Sequence, residues 1–362
     1  MTPAAGPLPW LRDRAGRSAV LGVGAAAVLG AWAFLVAAAD PAAGWLVGLC
    51  FWISVALGAS AMLAVHGLTG GGWGEALRPA LAPAAVSLPV FLPLAVPLLL
   101  ALSVLYPWAA DPDAGMRPDV ARFYLNPTGF VLRTVAALVG WSATAWLLAR
   151  LRPGGSRTLA AGLGLAFHLA AVTLVSVDWL LSLDPHFRST AFGMAALATQ
   201  VLAALAWAAL LRPEPPGEAH GAAADLAALM LAAVLGVLYL GFVQYLIAWY
   251  GDLPEKAAWF LRRQGWGWAA LQAASLLCSG LLPLAALLLA QVRRSPRALA
   301  PVGALVLAGI AAHLCWIVAP VFGAASLLAA ALGVLAVGGL WVGVAYGPWL
   351  ARAATPAGTA AR

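Results

Sequence analysis

The stretch 225-DLAALMLAAVLGVLYLGFVQYLIAWY-250 decides the fold. After Asp225 it carries no charged side chain until Asp252. A helix rises about 1.5 Å per residue, so this run outreaches a hydrocarbon core of about 30 Å. In lipid the backbone has no water to bond, so a spanning segment satisfies its own N–H and C=O groups as a helix. The run ends on Gln244, Tyr245, Trp249 and Tyr250, and the chain continues through Asp252 and Glu255. Two readings of that polar end stand side by side. It is an aromatic belt anchoring the helix, or it is the edge of a site.

Nine further runs of the same kind flank it, at 18–39, 44–67, 81–107, 128–149, 158–183, 190–211, 264–291, 299–319 and 325–349. The expectation is an all-α, polytopic integral membrane protein of about ten transmembrane helices, a single transmembrane domain over 1–362. Apolar residues make up 64% of the chain and charged residues 9%, with a mean hydropathy of +0.93. A soluble protein of this size cannot hide that much apolar surface. The first run continues to Ala39 with no obvious cleavage site, so it reads as a spanning helix, not a signal peptide. In the third, Pro89, Pro93 and Pro97 recur every four residues and predict a kink.

The net charge of +7 does not point to nucleic acid, because the arginines sit in loops between the apolar runs. They point to topology. With the N-terminus in the cytoplasm, thirteen arginines fall inside and six basic residues outside, with Arg133 left over within a run. That bias favours both termini inside and an even number of helices. Cys50, Cys278 and Cys315 each lie alone in an apolar run, and no CxxC or CxxCH occurs. Covalent haem and cysteine-ligated clusters are therefore not expected.

Given that topology, the rare polar residues fall at one depth. Arg133, Asp178, Gln244 and His313 lie toward the outer ends of four different helices. An ionisable group in hydrocarbon is costly unless it faces the bundle interior and finds a partner. Arg133 and Asp178 are the natural pair. They read equally as a structural lock between helices four and five or as part of a polar cavity for protons or a small ligand; Arg133 could alternatively snorkel to the interface. His168 sits near the middle of helix five, where a lone histidine is more often a helix–helix contact than a haem ligand. His66 opens 66-HGLTGGGWGE-75, which lacks the GK[ST] of a phosphate loop and reads as a tight turn. A proton path from the cytoplasm would have to use His168, Thr199, Gln200, Tyr239 and water, because the inner half holds few carboxylates. Trp10, Trp73, Trp108, Trp249, Trp266, Trp268 and Trp349 fall near expected interfaces and read as belt residues.

Several stretches together resemble one family. These are 57-LGASAMLAVHGLTGGGWG-74, 102-LSVLYPWA-109, 124-YLNPTGFVLR-133 with Trp141, 178-DWLLSLDPHFRSTAFG-193 and 244-QYLIAWYGDLPE-255. In this order they are similar to the polytopic membrane subunits of bacterial alternative complex III, the quinol:cytochrome c oxidoreductase, and most of all to its F subunit. The resemblance implies a polysulfide-reductase-like membrane fold. Two four-helix bundles, helices 2–5 (44–183) and 6–9 (190–319), would be flanked by peripheral helices 1 and 10 with their tails (1–39 and 325–362). It implies a subunit of the bacterial cytoplasmic membrane without a redox cofactor or metal of its own. Its partners would be a related quinol-binding membrane subunit and periplasmic iron–sulfur and multihaem cytochrome subunits, with quinol as the candidate small molecule. The motifs match at His66, Arg133, Asp178, Asp184, Ser189, Thr190, Gln244, Tyr250 and Glu255. Helix nine departs from the pattern, with His313 where an acidic residue is expected. On this reading Asp178 accepts a proton from quinol, His313 relays it and Arg133 tunes Asp178. A structural subunit that only scaffolds its partners is the rival from another class. An independent transporter ranks below both, because no inverted repeat of broken helices stands out.

Overall fold

The computed structural model describes residues 9–36, 39–111, 120, 123–184, 187, 189–211, 219–252 and 254–346. Among them are ten helices long and apolar enough to cross a membrane, and no strand. We number them α1 (Pro9–Val36), α2 (Asp40–Thr69), α3 (Gly72–Leu100), α4 (Pro127–Arg150), α5 (Gly155–Trp179), α6 (Phe192–Leu211), α7 (Ala219–Gly251), α8 (Trp266–Leu288), α9 (Pro296–Phe322) and α10 (Ala325–Leu340). The chain is an all-α polytopic membrane protein.

The third helix differs from its apolar run. It begins at Gly72, straight after a turn in which Gly70 and Gly71 take positive φ of 68° and 95°. Pro79, Pro83, Glu75 and Arg78 dilute the hydropathy there, but proline is tolerated where neighbouring helices re-satisfy the backbone. The proline series breaks the helix at a 3₁₀ turn, Leu88–Val90, and Phe91–Leu100 continues beyond it. The end of the run does not span. Residues 101–110 form short turns that pack Tyr106 and Trp108 against Phe130, with ring centroids 5.2 Å and 5.7 Å away. Trp108 is thus fully buried, not a belt residue. Trp249 and Trp266 are exposed, Trp73 and Trp268 half-buried, and the side chains of Trp10 and Trp349 lie outside the described residues.

Helix α2 is the axis of the molecule and is almost wholly buried. It packs on α3, α4 and α5 on one side and on α6 and α9 on the other. Helix α6 in turn packs on α7 and α9, and α8 on α9. The tenth helix lies tightly on α2. A Cβ added at Gly44 or Gly48 would run into the backbone of Ala329 or Gly333, and one at Gly333 into the backbone of Gly44. Small residues allow this approach, and close packing drives helix association where lipid removes the hydrophobic driving force. The indole of Trp52 donates to Val334 O (2.8 Å), and that of Trp341 to Ser87 Oγ (2.6 Å). Trp52, Trp207 and Trp341 form one aromatic cluster, with centroids 5.2–5.7 Å apart. Helix α1 packs on α10 through Gly22 and Gly339 and otherwise faces outward, as α7 largely does.

Candidate functional site

The site starts from two helix ends. Asn126 caps α4, its Oδ1 accepting from Gly129 N at 2.7 Å, and Pro127 takes the first helical position where no N–H is needed. This fixes Arg133 one turn and a half inside. Helix α5 ends at Trp179 and runs through a 3₁₀ turn, Leu181–Leu183, into Asp184. Ser182 Oγ donates back to Asp178 O at 2.5 Å.

Arg133 grips Asp178 with both arms of its fork. Nε donates to Oδ2 at 2.7 Å and Nη2 to Oδ1 at 3.1 Å. Nη2 also donates to Tyr124 O at 2.9 Å, and the guanidinium lies 4.1 Å from the centre of the Tyr124 ring. Bidentate charge-assisted bonds of this kind are the strong ones. Asp178 is 0% exposed and Arg133 20%. Burial, and then the charge of Asp178, push the Tyr124 hydroxyl up to about 12, with Arg133 opposing, so it stays a phenol. The pair is braced from the next residue. Trp179 Nε1 donates to Thr134 Oγ1 (3.1 Å), and Tyr106 OH donates to Trp179 O (3.0 Å).

A second set of contacts closes the same end. Arg262 Nη1 donates to the buried Asp184 at 2.8 Å, tying the connection after α5 to the segment before α8. Its neighbour Arg263 is buried and donates from Nε to Trp316 O (3.2 Å), from Nη1 to Trp259 O (2.8 Å) and from Nη2 to Ile317 O (2.8 Å). The reason lies in α9. The carbonyl of Trp316 would ordinarily accept from residue 320, which is Pro320 and has no N–H. Arg263 supplies that donor while stacking 3.7 Å over Trp259. Burial pushes its guanidinium down to about 9, with Asp184 pulling it back up, so it remains charged at neutral pH.

Between these braces lies a cavity of about 90 Å³. A water needs roughly 10–15 Å³ of such space, so several fit. The walls come from α2, α4, α5, α6, α7 and α9, and most are apolar. Polar groups facing it include Gln200, Gln244 and His313. Gln244 accepts from Ser189 Oγ at 3.0 Å, and its amide donates to Leu240 O at 3.4 Å. His313 stacks on Trp316, centroids 5.9 Å apart. Gln200 is buried, and its Oε1 has no partner among the described residues; the neighbouring His168, which it meets through its side chain, likewise leaves Nε2 unpartnered among them. Buried polar atoms in this state are available to water.

The nine candidate residues therefore separate. Arg133 and Asp178 meet, but Asp178 is enclosed and does not line the cavity. Gln244 and His313 line it, and His168 stands behind Gln200 with its ring 6.0 Å from Trp141. Asp184 belongs to the neighbouring brace. Tyr250 is 85% exposed and faces away. The backbone of Glu255 lies in the short helix Pro254–Leu261, but its side chain is outside the described residues. His66 is at the opposite end, its Nε2 3.1 Å from Gly71 O, where the expected tight turn is found. Of the residues expected on an inner path, Thr199 and Gln200 reach the cavity, whereas Tyr239 is 65% exposed on the outside of α7. Arg263 is the residue that sequence reasoning passed over. Its spacing from Trp259 and the distant Pro320 were the available signals, and neither separates it from the half-exposed Arg262 beside it. Among the described residues no cluster of three or more His, Cys, Asp or Glu could hold a metal ion.

The fold and site define a multi-pass α-helical membrane protein with a small polar cavity between packed helices. No protein-family model and no curated protein matches the chain.

Proposed function

We propose that this chain is a non-redox membrane subunit of a quinol:electron-acceptor oxidoreductase of the alternative complex III type, and that its cavity carries protons at the outer side of a bacterial cytoplasmic membrane. The observation that carries the reading is the cavity. It places His313, Gln244 and Gln200, from three helices, around one space of a size for water. The quoted motifs support the assignment to a complex, and several of them reach the cavity, through Leu57, Trp141, Trp179, Leu180, Phe192 and Gln244. The partners are a related quinol-binding membrane subunit and periplasmic iron–sulfur and multihaem cytochrome subunits. A space of this size suits waters better than a whole quinol with its tail. Protons released where a neighbouring subunit oxidises quinol enter the water chain, and His313 accepts and passes them on. Its Nδ1 and Nε2 allow a proton to enter at one nitrogen and leave from the other. Asp178, held by Arg133, shapes the wall through Trp179.

A tagged chain purified from its own membranes in mild detergent should bring the cytochrome and iron–sulfur subunits with it; purification alone, from membranes that contain those proteins, defeats the reading. In the assembled complex His313→Ala should cut quinol oxidation coupled to outward proton release about tenfold or more, a modest share of what positioned acid–base groups contribute. The check is acidification outside sealed vesicles, with haem reduction followed in parallel. Unchanged rate and proton yield in an intact complex would make the chain a scaffold only.

The same reading fixes orientation. In intact cells Pro3→Cys and Ala360→Cys, introduced into a chain whose own exposed thiols are replaced, should both stay unlabelled by a membrane-impermeant maleimide and react after permeabilisation. Labelling of either before permeabilisation would put the cavity at the wrong face.

A further inference from the structure

At the end of the bundle opposite the cavity stands a buried arginine with two of its donors unpartnered among the described residues. Arg157 is only 6% exposed, in the first turn of α5, and its Nε and Nη2 have no hydrogen-bond partner among the described residues. A buried charged donor left unpaired is costly, and native proteins supply such groups with a partner. The charges that act on it are those of Arg78 and Glu75. The first repels it, so a second protein cation stands within electrostatic reach of it. Glu75 is largely exposed, and its carboxylate is 3.8 Å from His66 Nε2.

The surroundings carry further positive potential. Arg157 lies one turn before Ala161, and Ala161 packs against Gly67 near the end of α2. That puts Arg157 at the same end of the bundle as the turn through Gly70 and Gly71 that starts α3. The helices α3 and α5 both begin after a glycine, Gly71 and Gly154, and neither start has a side-chain cap. An uncapped helix start presents free N–H groups and the positive end of the helix dipole. Arg150 and Arg152 add positive charge in the α4–α5 connection. Two arginines and two open helix starts against one carboxylate make a receptor for an anion with several oxygens.

We propose that Arg157 and Arg78 form a binding site for a phosphate-type oxyanion at this end of the bundle, the ligand being a phosphate ester with its oxygens on the Arg157 fork. At the edge of a membrane-spanning helix that chemistry is offered by an anionic phospholipid headgroup, and in solution by free phosphate. Basic pockets between transmembrane helices are a recurring way to hold anionic headgroups. A planar fork suits phosphate better than an ammonium does.

The test uses the full chain in mild detergent, delipidated and then exposed to cardiolipin, to phosphatidylglycerol, to phosphatidylcholine or to inorganic phosphate. Native mass spectrometry and thermal unfolding are read on each. One anionic lipid should be retained per chain at least tenfold better than phosphatidylcholine, with a rise in unfolding temperature. Arg157→Gln should abolish the preference, Arg78→Gln should weaken it severalfold, and Arg294→Gln, which alters an exposed arginine in the connection between α8 and α9, should leave it intact. Arg157→Lys keeps the charge and should hold the anion more weakly, which protects the test if the glutamine variant does not fold. A shift with inorganic phosphate that needs Arg157 assigns the site to free phosphate; a shift with anionic lipid alone assigns it to the headgroup. Equal retention of charged and zwitterionic lipid with no phosphate effect, or anionic retention that survives both Arg157 changes, overturns the proposal.

Discussion

Arg133→Gln should destabilise this protein more than Asp178→Asn, and the two together should destabilise it less than either alone. Removing one partner of a buried ion pair leaves an uncompensated charge, which typically costs about 3–5 kcal/mol. The two partners are not equally trapped. Asp178 is fully enclosed, so without its arginine it must be buried as a bare carboxylate or take up a proton. Arg133 keeps some exposure, the Tyr124 carbonyl and the face of the Tyr124 ring, so it has somewhere to go without Asp178. The loss at Asp178→Asn should therefore sit at the lower end of that range and the loss at Arg133→Gln at the upper. The double variant replaces both charges by neutral polar groups of similar shape and should recover most of the deficit, an outcome unfolding of the four proteins in detergent can read as an interaction energy. Strict additivity would mean the side chains do not meet. The same variants inform the site. If the pair only holds the Trp179 wall in place, a stable double variant keeps its activity in the complex; if Asp178 handles protons itself, activity stays lost.

Arg263→Gln should be the next most damaging change, at about 3 kcal/mol or more, since bonds from a charged donor contribute about 1.5–3 kcal/mol and each stranded buried acceptor costs about 1–3 kcal/mol. Three carbonyls lose a donor at once, and one of them, on Trp316, has no alternative because Pro320 follows it at the hydrogen-bonding position. That dependence gives a specific control. Pro320→Ala returns an N–H to Trp316 O, so Arg263→Gln should cost measurably less in the Pro320→Ala background. Arg263→Lys should recover only part of the loss, because an ammonium cannot span the carbonyls of two segments as the fork does. Thermal unfolding of the set decides it. Equal damage with and without the proline would show that Arg263 acts through its stacking on Trp259 and not through the α9 carbonyl.

Lipid as a solvent explains why so much was legible in the amino-acid order. Ten apolar runs give ten helices because hydrocarbon leaves the backbone no other solution. Arg133 and Asp178 could be paired on paper because two opposite charges at one depth have few places to go. Other features were hidden for equally physical reasons. Helix α3 starts nine residues before its apolar run, since Glu75, Arg78 and two prolines mask it and the glycine turn before it looks the same whether a helix or a loop follows. Trp108 was indistinguishable from an interfacial tryptophan, because burial there comes from chain that doubles back after α3. Tyr239 and Tyr250 offer hydroxyls that sequence counts as polar, yet rotation of α7 turns both outward. The cavity could not be read at all. It is a gap left by the fit of six helices, and no residue type encodes it. Arg263 was hidden by the company of Arg262, which has the same charge and an opposite fate.

The clasp between α2 and α10 has a consequence for biogenesis. Gly44, Gly48 and Gly333 meet backbone to backbone, although the ribosome makes them nearly the whole chain apart. While the chain is being synthesised, the most enclosed helix of the finished protein has its glycine groove open to the bilayer, and only the last span can fill it. Contacts this distant in the chain are slow to form and leave partly assembled states open to wrong pairing. A nascent chain stalled before residue 325 would present that groove to any small-residue helix in the membrane. Until α10 is in place the groove on α2 therefore stays open to lipid, and its closure is the step that finally encloses α2.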